Sequence, residues 1–109
     1  MFDAIRSLRD ATELDEVLRA PLVVLYKHSS RCGISTMALL EVRHFAATHP
    51  DVPVYQIDVL AQRRLARAIA DRLGVKHASP QAILVQHGEA KWHSTHFGIS
   101  ADALQEALR

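Results

Sequence analysis

The residues of this chain best suited to do chemistry lie together in SSRCGIS, Ser29 to Ser35, around Cys32, the only cysteine. A thiolate is a nucleophile and, once bonded to another sulfur, a leaving group. Two cysteines at C-x-x-C spacing can close a disulfide on each other. Here Ser35 takes the second place, and a hydroxyl does not enter thiol–disulfide exchange. A mixed disulfide on Cys32 must therefore wait for an external thiol. The chemistry indicated is transfer of a thiol group, completed by a soluble co-substrate. A pKa drop from about 8.5 to about 6.5 raises the thiolate fraction at neutral pH roughly tenfold or more. Nucleophilicity falls by nearly tenfold over the same interval, at a Brønsted slope of about 0.4–0.5. For attack the two effects largely cancel, so the clearer gain is in departure, because a lower-pKa thiolate leaves faster.

The elements that must position Cys32 follow from the apolar pattern. Leu22–Tyr26 is a continuous apolar run rich in β-branched residues, which reads as a strand buried on both faces. The polar loop Lys27–Arg31 comes next, and a helix runs from Gly33 to about His49. Ile34, Met37, Ala38, Leu40, Val42, Phe45 and Ala46 cover much of its circumference, so it is expected to be largely buried. Cys32 then falls where a buried strand stops and a helix starts. In open α/β sheets ligands bind beyond the carboxyl ends of strands. The unpaired N–H groups and positive dipole end of a helix stabilise a thiolate there. Lys27, His28 and Arg31 are cationic or titratable neighbours in sequence that would add to this.

Around this centre, residues 2–8 suggest a short first strand. Thr12 is a candidate N-cap, with Asp15 favouring the start of a helix that runs to about Leu18 and stops before Pro21. Val54–Val59 reads as a second core strand and residues 61–73 as a helix with the stripe Leu65, Ile69, Leu73 and a Gly74 cap. Ser79-Pro80 immediately precedes the strand Ala82–Val85, where a turn or cis peptide fits because proline lacks the N–H a central strand needs. Ala90–His93 pairs back across His87-Gly88-Glu89 as a hairpin, and Ser100 caps a last helix. The order is β-α-β-α-β-α-β-β-α. Alternating units demand parallel pairing and the hairpin antiparallel pairing, so the class is α/β, a mixed central sheet flanked by helices.

Bulk properties agree with one domain over residues 1–109: 49% hydrophobic, 23% charged, net charge +1. The dense basic stripe of a nucleic-acid binder is absent; Arg63, Arg64 and Arg67 read as a solvated helix face. One cysteine excludes an intrachain disulfide, charges interrupt residues 1–20, and no apolar run approaches the roughly 18 residues of a membrane span. A cytoplasmic location, with no nucleic-acid or membrane partner, is the expectation. No group of histidines has the spacing of a structural zinc site, so no metal ligand is assigned.

The segments YKHSSRCGIS (26–35), GVKHASPQAILV (74–85) and KWHSTHFGIS (91–100) together resemble the YtxJ-like family of monothiol bacilliredoxins, within the thioredoxin-like superfamily. The resemblance spans nearly the whole chain in order. It implies a redox oxidoreductase of thioredoxin-like fold, with Cys32 as nucleophile and Pro80 as a cis-proline beside it. The co-substrate implied is bacillithiol, a bacterial low-molecular-weight thiol that carries a malate; no bound cofactor is implied. The partners would be S-bacillithiolated client proteins, from which bacillithiol is removed through a Cys32 mixed disulfide, with bacillithiol or another redoxin resetting the thiol. Lys27, His28, Arg31, Gly33, Ser35, Lys76, His77, Ser79, Pro80 and Gln81 would surround the substrate, cations pairing with the malate carboxylates. His93 and His96 belong to the third segment without an evident role in the reaction.

One departure is Gly33, where the family usually has proline; glycine adds an N–H within reach of the sulfur. It also makes C-G-I-S similar to the C-G-F-S of monothiol glutaredoxins, some of which hold a [2Fe–2S] cluster with glutathione. An iron–sulfur scaffold or carrier is thus the alternative, although the Gly-Gly pair such proteins carry after the late hairpin is replaced here by KWHSTHFG. An arsenate-reductase-like enzyme, which also uses Cys-Gly-x-Ser at a strand-to-helix turn, is a weaker third reading. Those enzymes usually carry inserted helices and several site arginines; this chain has Arg31 near the cysteine but no evident insertion.

Overall fold

A computed structural model describes residues 4–109. Its elements follow the expected order: β1 (Ile5–Ser7), α1 (Ala11–Val17), β2 (Leu22–His28), α2 (Gly33–Thr48), β3 (Val54–Asp58), α3 (Arg63–Leu73), β4 (Gln81–Gln86), β5 (Glu89–Thr95) and α4 (Ala101–Ala107), with a single 3-10 turn at His96–Gly98. The five strands lie in the order β1-β3-β2-β4-β5. β1, β3 and β2 are parallel, whereas β4 runs antiparallel to both β2 and β5. Alternation along β2 explains the two cores. Val23 and Leu25 pack with Leu14, Val17 and Ile69 from α1 and α3. Val24 and Tyr26 pack with Ala38, Val42, Phe45 and Leu104 from α2 and α4.

Several boundaries differ from the sequence reading for local reasons. The first helix is capped by Asp10 rather than Thr12: the Asp10 carboxylate accepts from the Glu13 N–H at 2.9 Å, while Thr12 already lies in the first turn. The first strand is Ile5–Ser7, and residues 2 and 3 of the expected strand lie outside the described residues. Lys27 and His28 are strand rather than loop, because β2 keeps its ladder to Ile57 and Asp58 on β3 and to Gln81 on β4. The third helix begins at Arg63, after Gln62, instead of near Ala61.

Helix α2 is not buried all round. Met37 and Leu40 are each 60% exposed, and the core face is Ser35, Ala38, Val42, Phe45 and Ala46. The hairpin turn His87-Gly88 has positive φ at both residues (51° and 80°), the twist a two-residue β-hairpin requires. Gly74 closes α3 at φ 64°, as expected of a left-handed cap. Between β4 and β5 the register shifts at Leu84/Val85, so Trp92 pairs with Leu84 but Ala90 with Val85. The extra residue, Lys91, turns Ala90 towards the α1/α3 core and Trp92 towards the α2/α4 core.

Candidate active site

Cys32 is the N-cap of α2, with extended backbone (φ −113°, ψ 119°), and is partly exposed. The loop that delivers it is short and tied: Cys32 N–H donates to Ser29 O (3.1 Å), and Cys32 O accepts from the Ser35 and Thr36 N–H groups (3.0 and 3.4 Å). The Cys32 thiol is held below its usual range chiefly by the Ser35 backbone N–H, then by the Ile34 N–H and the Ser35 hydroxyl, against partial burial that pushes the other way. Helix-start donors thus do what the sequence suggested. The charges expected to help, Lys27, His28 and Arg31, are not among the causes, nor is the Gly33 N–H.

Ser35 is fully buried and faces two ways. Its Oγ accepts from the Ser29 N–H at 3.2 Å, which leaves the hydroxyl proton free to point at Cys32. Its carbonyl accepts from the Tyr26 hydroxyl at 2.9 Å. Because the single Tyr26 proton is spent there, the 3.2 Å contact between Tyr26 Oη and His28 Nδ1 must be donated by the imidazole, so His28 carries its proton on Nδ1. Burial pushes the Tyr26 phenol up to about 12, so it remains a donor at all working pH. Burial also lowers His28, opposed by Asp58 and reinforced by Arg43. In the sequence Tyr26 reads only as a member of an apolar run; its position two residues before His28, on the α2 face, is the available signal.

The other expected site residues divide between two places. Lys27 is 0% exposed and lies on the α1/α3 face, its Nζ 3.1 Å from His77 Nδ1. It therefore does not present a surface charge to a ligand. The Ser79–Pro80 peptide is cis, and Pro80 is buried. The segment containing it starts β4 at the sheet end where β2 delivers Cys32, since Lys27 pairs with Gln81 across the antiparallel ladder. Pro80 O accepts from the His96 N–H at 3.2 Å, which ties in the 3-10 turn after β5. Lys76, His77 and Arg31 are exposed. Gln81 is buried; its Nε2 donates to Lys76 O at 3.0 Å. Gly33 is exposed, with open space where a Cβ would stand, so no steric demand calls for glycine there. His93 and His96 are both exposed, His96 with φ 52°. Between the turn and α2 lies a hollow of about 340 Å³, lined among others by Ile34, Met37, Leu40 and Phe97, the last 76% exposed. Among the described residues no cluster of three or more His, Cys, Asp or Glu could hold a metal.

Comparison with known proteins agrees with this geometry. The sequence profile of the family described as monothiol bacilliredoxin BrxC matches residues 3–104. A solved structure described as a proposed oxidoreductase with a thioredoxin fold superposes with TM-score 0.90 at 30% identity, covering 97% of this chain and 95% of the other. An asparagine-to-glutamine mutant of thioredoxin from Halobacterium salinarum gives TM-score 0.76 at 28% identity, over 95% of this chain and 87% of that one. Thioredoxin from Trypanosoma brucei brucei, at 15% identity and TM-score 0.78 over 100% and 91% of the two chains, shares the fold. The fold is that of thioredoxin, and the chemistry supported is thiol redox.

Proposed function

The chain belongs to the monothiol bacilliredoxin family, and from that membership together with the setting of Cys32 we propose that it removes bacillithiol from S-bacillithiolated proteins. The Cys32 thiolate attacks the bacillithiol sulfur of the client disulfide. The new bond is Cys32–S–S–bacillithiol; the client sulfur leaves as a thiolate and takes a proton from solvent. A second bacillithiol thiolate then attacks that bond, yielding oxidised bacillithiol and free Cys32, so one free bacillithiol is consumed for each client thiol restored. The cycle uses bacillithiol as co-substrate and needs no bound cofactor.

The observation that carries this reading is an anion-stabilised sulfur at the helix start whose C-x-x-S partner is a buried hydroxyl. It can accept a thiol group but cannot expel it intramolecularly. Arg31 and Lys76, exposed at the same end of the sheet, are the cations we assign to the malate carboxylates. Among the described residues no helix is long and apolar enough to cross a membrane. The test presents a bacillithiolated model protein to the reduced chain and weighs both products. A bacillithiol-sized mass on Cys32 with the client restored is the expected result; a client left modified, or a brown protein after anaerobic purification that exchanges nothing, overturns it in favour of the cluster carrier.

A further inference from the structure

The opposite face of β2 carries a second polar group of residues that the exchange chemistry leaves unexplained. Lys27 is a wholly buried cation whose only hydrogen-bond partner among the described residues is His77 Nδ1. An ammonium has three donors, so two are unspent. Directly across the ladder stands Gln81, on the same face of the sheet, and its Oε1 is buried without a partner. Ser79 Oγ, next to Pro80, is likewise buried and unpartnered. A cation with spare donors thus shares one end of one sheet face with the orphaned Gln81 oxygen, and the orphaned Ser79 oxygen belongs to the loop that leads into that strand. Buried polar groups are rarely left in this state, and buried charges are normally paired.

We infer that Lys27 is the positioning residue of the Pro80 segment, its ammonium serving as the hub that holds His77 directly and Ser79 and Gln81 through buried water. Residues 76–81 are also fastened at their end by the ladders that pair Gln81 with Lys27 and Thr95, by Gln81 Nε2 to Lys76 O and by the His96 N–H to Pro80 O. The hub fixes the inner side of the same loop and so sets where Pro80 stands at the sheet end that presents Cys32. Lys27 acts through the loop, since it is not among the groups that shift the Cys32 thiol. The inference deepens the proposed exchange reaction and rests on it only for its kinetic consequence.

The arrangement depends on a proton. Burial lowers Lys27 to about 8. The groups facing it are few. His77 comes from the loop, and Arg67 of α3 is felt at His77. Ile57 of β3 and Gln81 of β4 are its uncharged strand neighbours, and the α1 residues packed on this face, Leu14 and Val17, are apolar. A neutral amine offers two donors and an acceptor, so loss of the proton reverses one bond of the hub.

The experiment has two arms. In the first, amide signals of Ala78, Ser79 and Gln81 are followed by NMR from pH 6 to pH 10 in the wild type and in Lys27→Met. The expected result is a shared inflection near the Lys27 ionisation that disappears in the variant; signals that ignore that ionisation overturn the hub, whatever the substrate. In the second, exchange with a bacillithiolated model protein is measured at several pH values alongside titration of Cys32 by thiolate absorbance. Lys27→Met is expected to lose about tenfold in kcat/KM with the Cys32 titration unmoved, and Lys27→Arg to recover part of the rate. Unchanged exchange, or a Cys32 titration that shifts in step, overturns the positioning role. A wild type inert towards that substrate but showing the inflection would refute the bacillithiol reading and leave the hub standing.

Discussion

Replacing Lys27 by methionine should stabilise this protein at neutral pH, although it deletes a hydrogen bond. The wild-type amine is fully buried and holds its proton only up to about 8, against 10.5 for a free lysine, with burial as the cause. The gap of about two and a half pH units, at about 1.4 kcal/mol each, puts the cost of the buried charge at about 3 kcal/mol at pH 7. The unfolded chain keeps this proton to higher pH than the folded one. Between about 8 and 10.5 the unfolded state therefore binds more protons, and stability rises with pH across that window. Below it both states are protonated and the full cost applies. Methionine fills a similar volume without charge, and the exposed His77 can exchange its lost partner for water. After subtracting about 1 kcal/mol for the lost bond to His77 and up to about 1 kcal/mol more for releasing Ser79 and Gln81 from the hub, the variant should be more stable by up to about 2 kcal/mol at pH 7, with the advantage shrinking to nothing or reversing by about pH 10.5. Urea unfolding of both proteins at matched pH reads this directly as a difference, since other titrating groups are common to both. A variant less stable than wild type at pH 7, or an advantage that does not decline above pH 8, refutes the reasoning.

Further expectations can be checked with the same preparations. Cys32→Ala should abolish exchange and leave the unfolding midpoint within experimental scatter, read by mass of the mixed disulfide and by urea titration. Ser35→Cys should form an intramolecular disulfide on oxidation, seen as a loss of two mass units, and this bridge should compete with transfer from an external thiol. Tyr26→Phe removes the donor to Ser35 O and strands His28 Nδ1, so about 1–2 kcal/mol of stability should go. The Cys32 thiolate absorbance should then titrate at higher pH as the first turn of α2 loosens.

What can be read from the chain are features whose physics is local. The apolar run at Leu22–Tyr26, the caps at Gly74 and Ser100, and the cysteine between strand and helix all announce themselves within a few residues. The Ser100 side chain does accept from Ala103 N–H at 3.0 Å. Most of what cannot be read depends on distant neighbours, the Asp10 cap in place of Thr12 being a local exception. Lys27 and His28 look like loop residues, yet ladders to β3 and β4 extend the strand through them and send their side chains to opposite faces. Proximity in sequence to Cys32 therefore suggests an electrostatic role that the fold denies Lys27. Met37 and Leu40 look like core because periodicity cannot say how far a neighbouring element extends. The shift at Lys91 depends on pairing with β4 and leaves no local mark.

Ser35 lies wholly beneath the helix start, so Cys32, itself only partly exposed, has no second thiol at the site. Such a protein has room for a single guest, which must depart before the next sulfur can approach along the same line. Its turnover should consequently be ping-pong: double-reciprocal plots for one substrate, drawn at several concentrations of the other, run parallel.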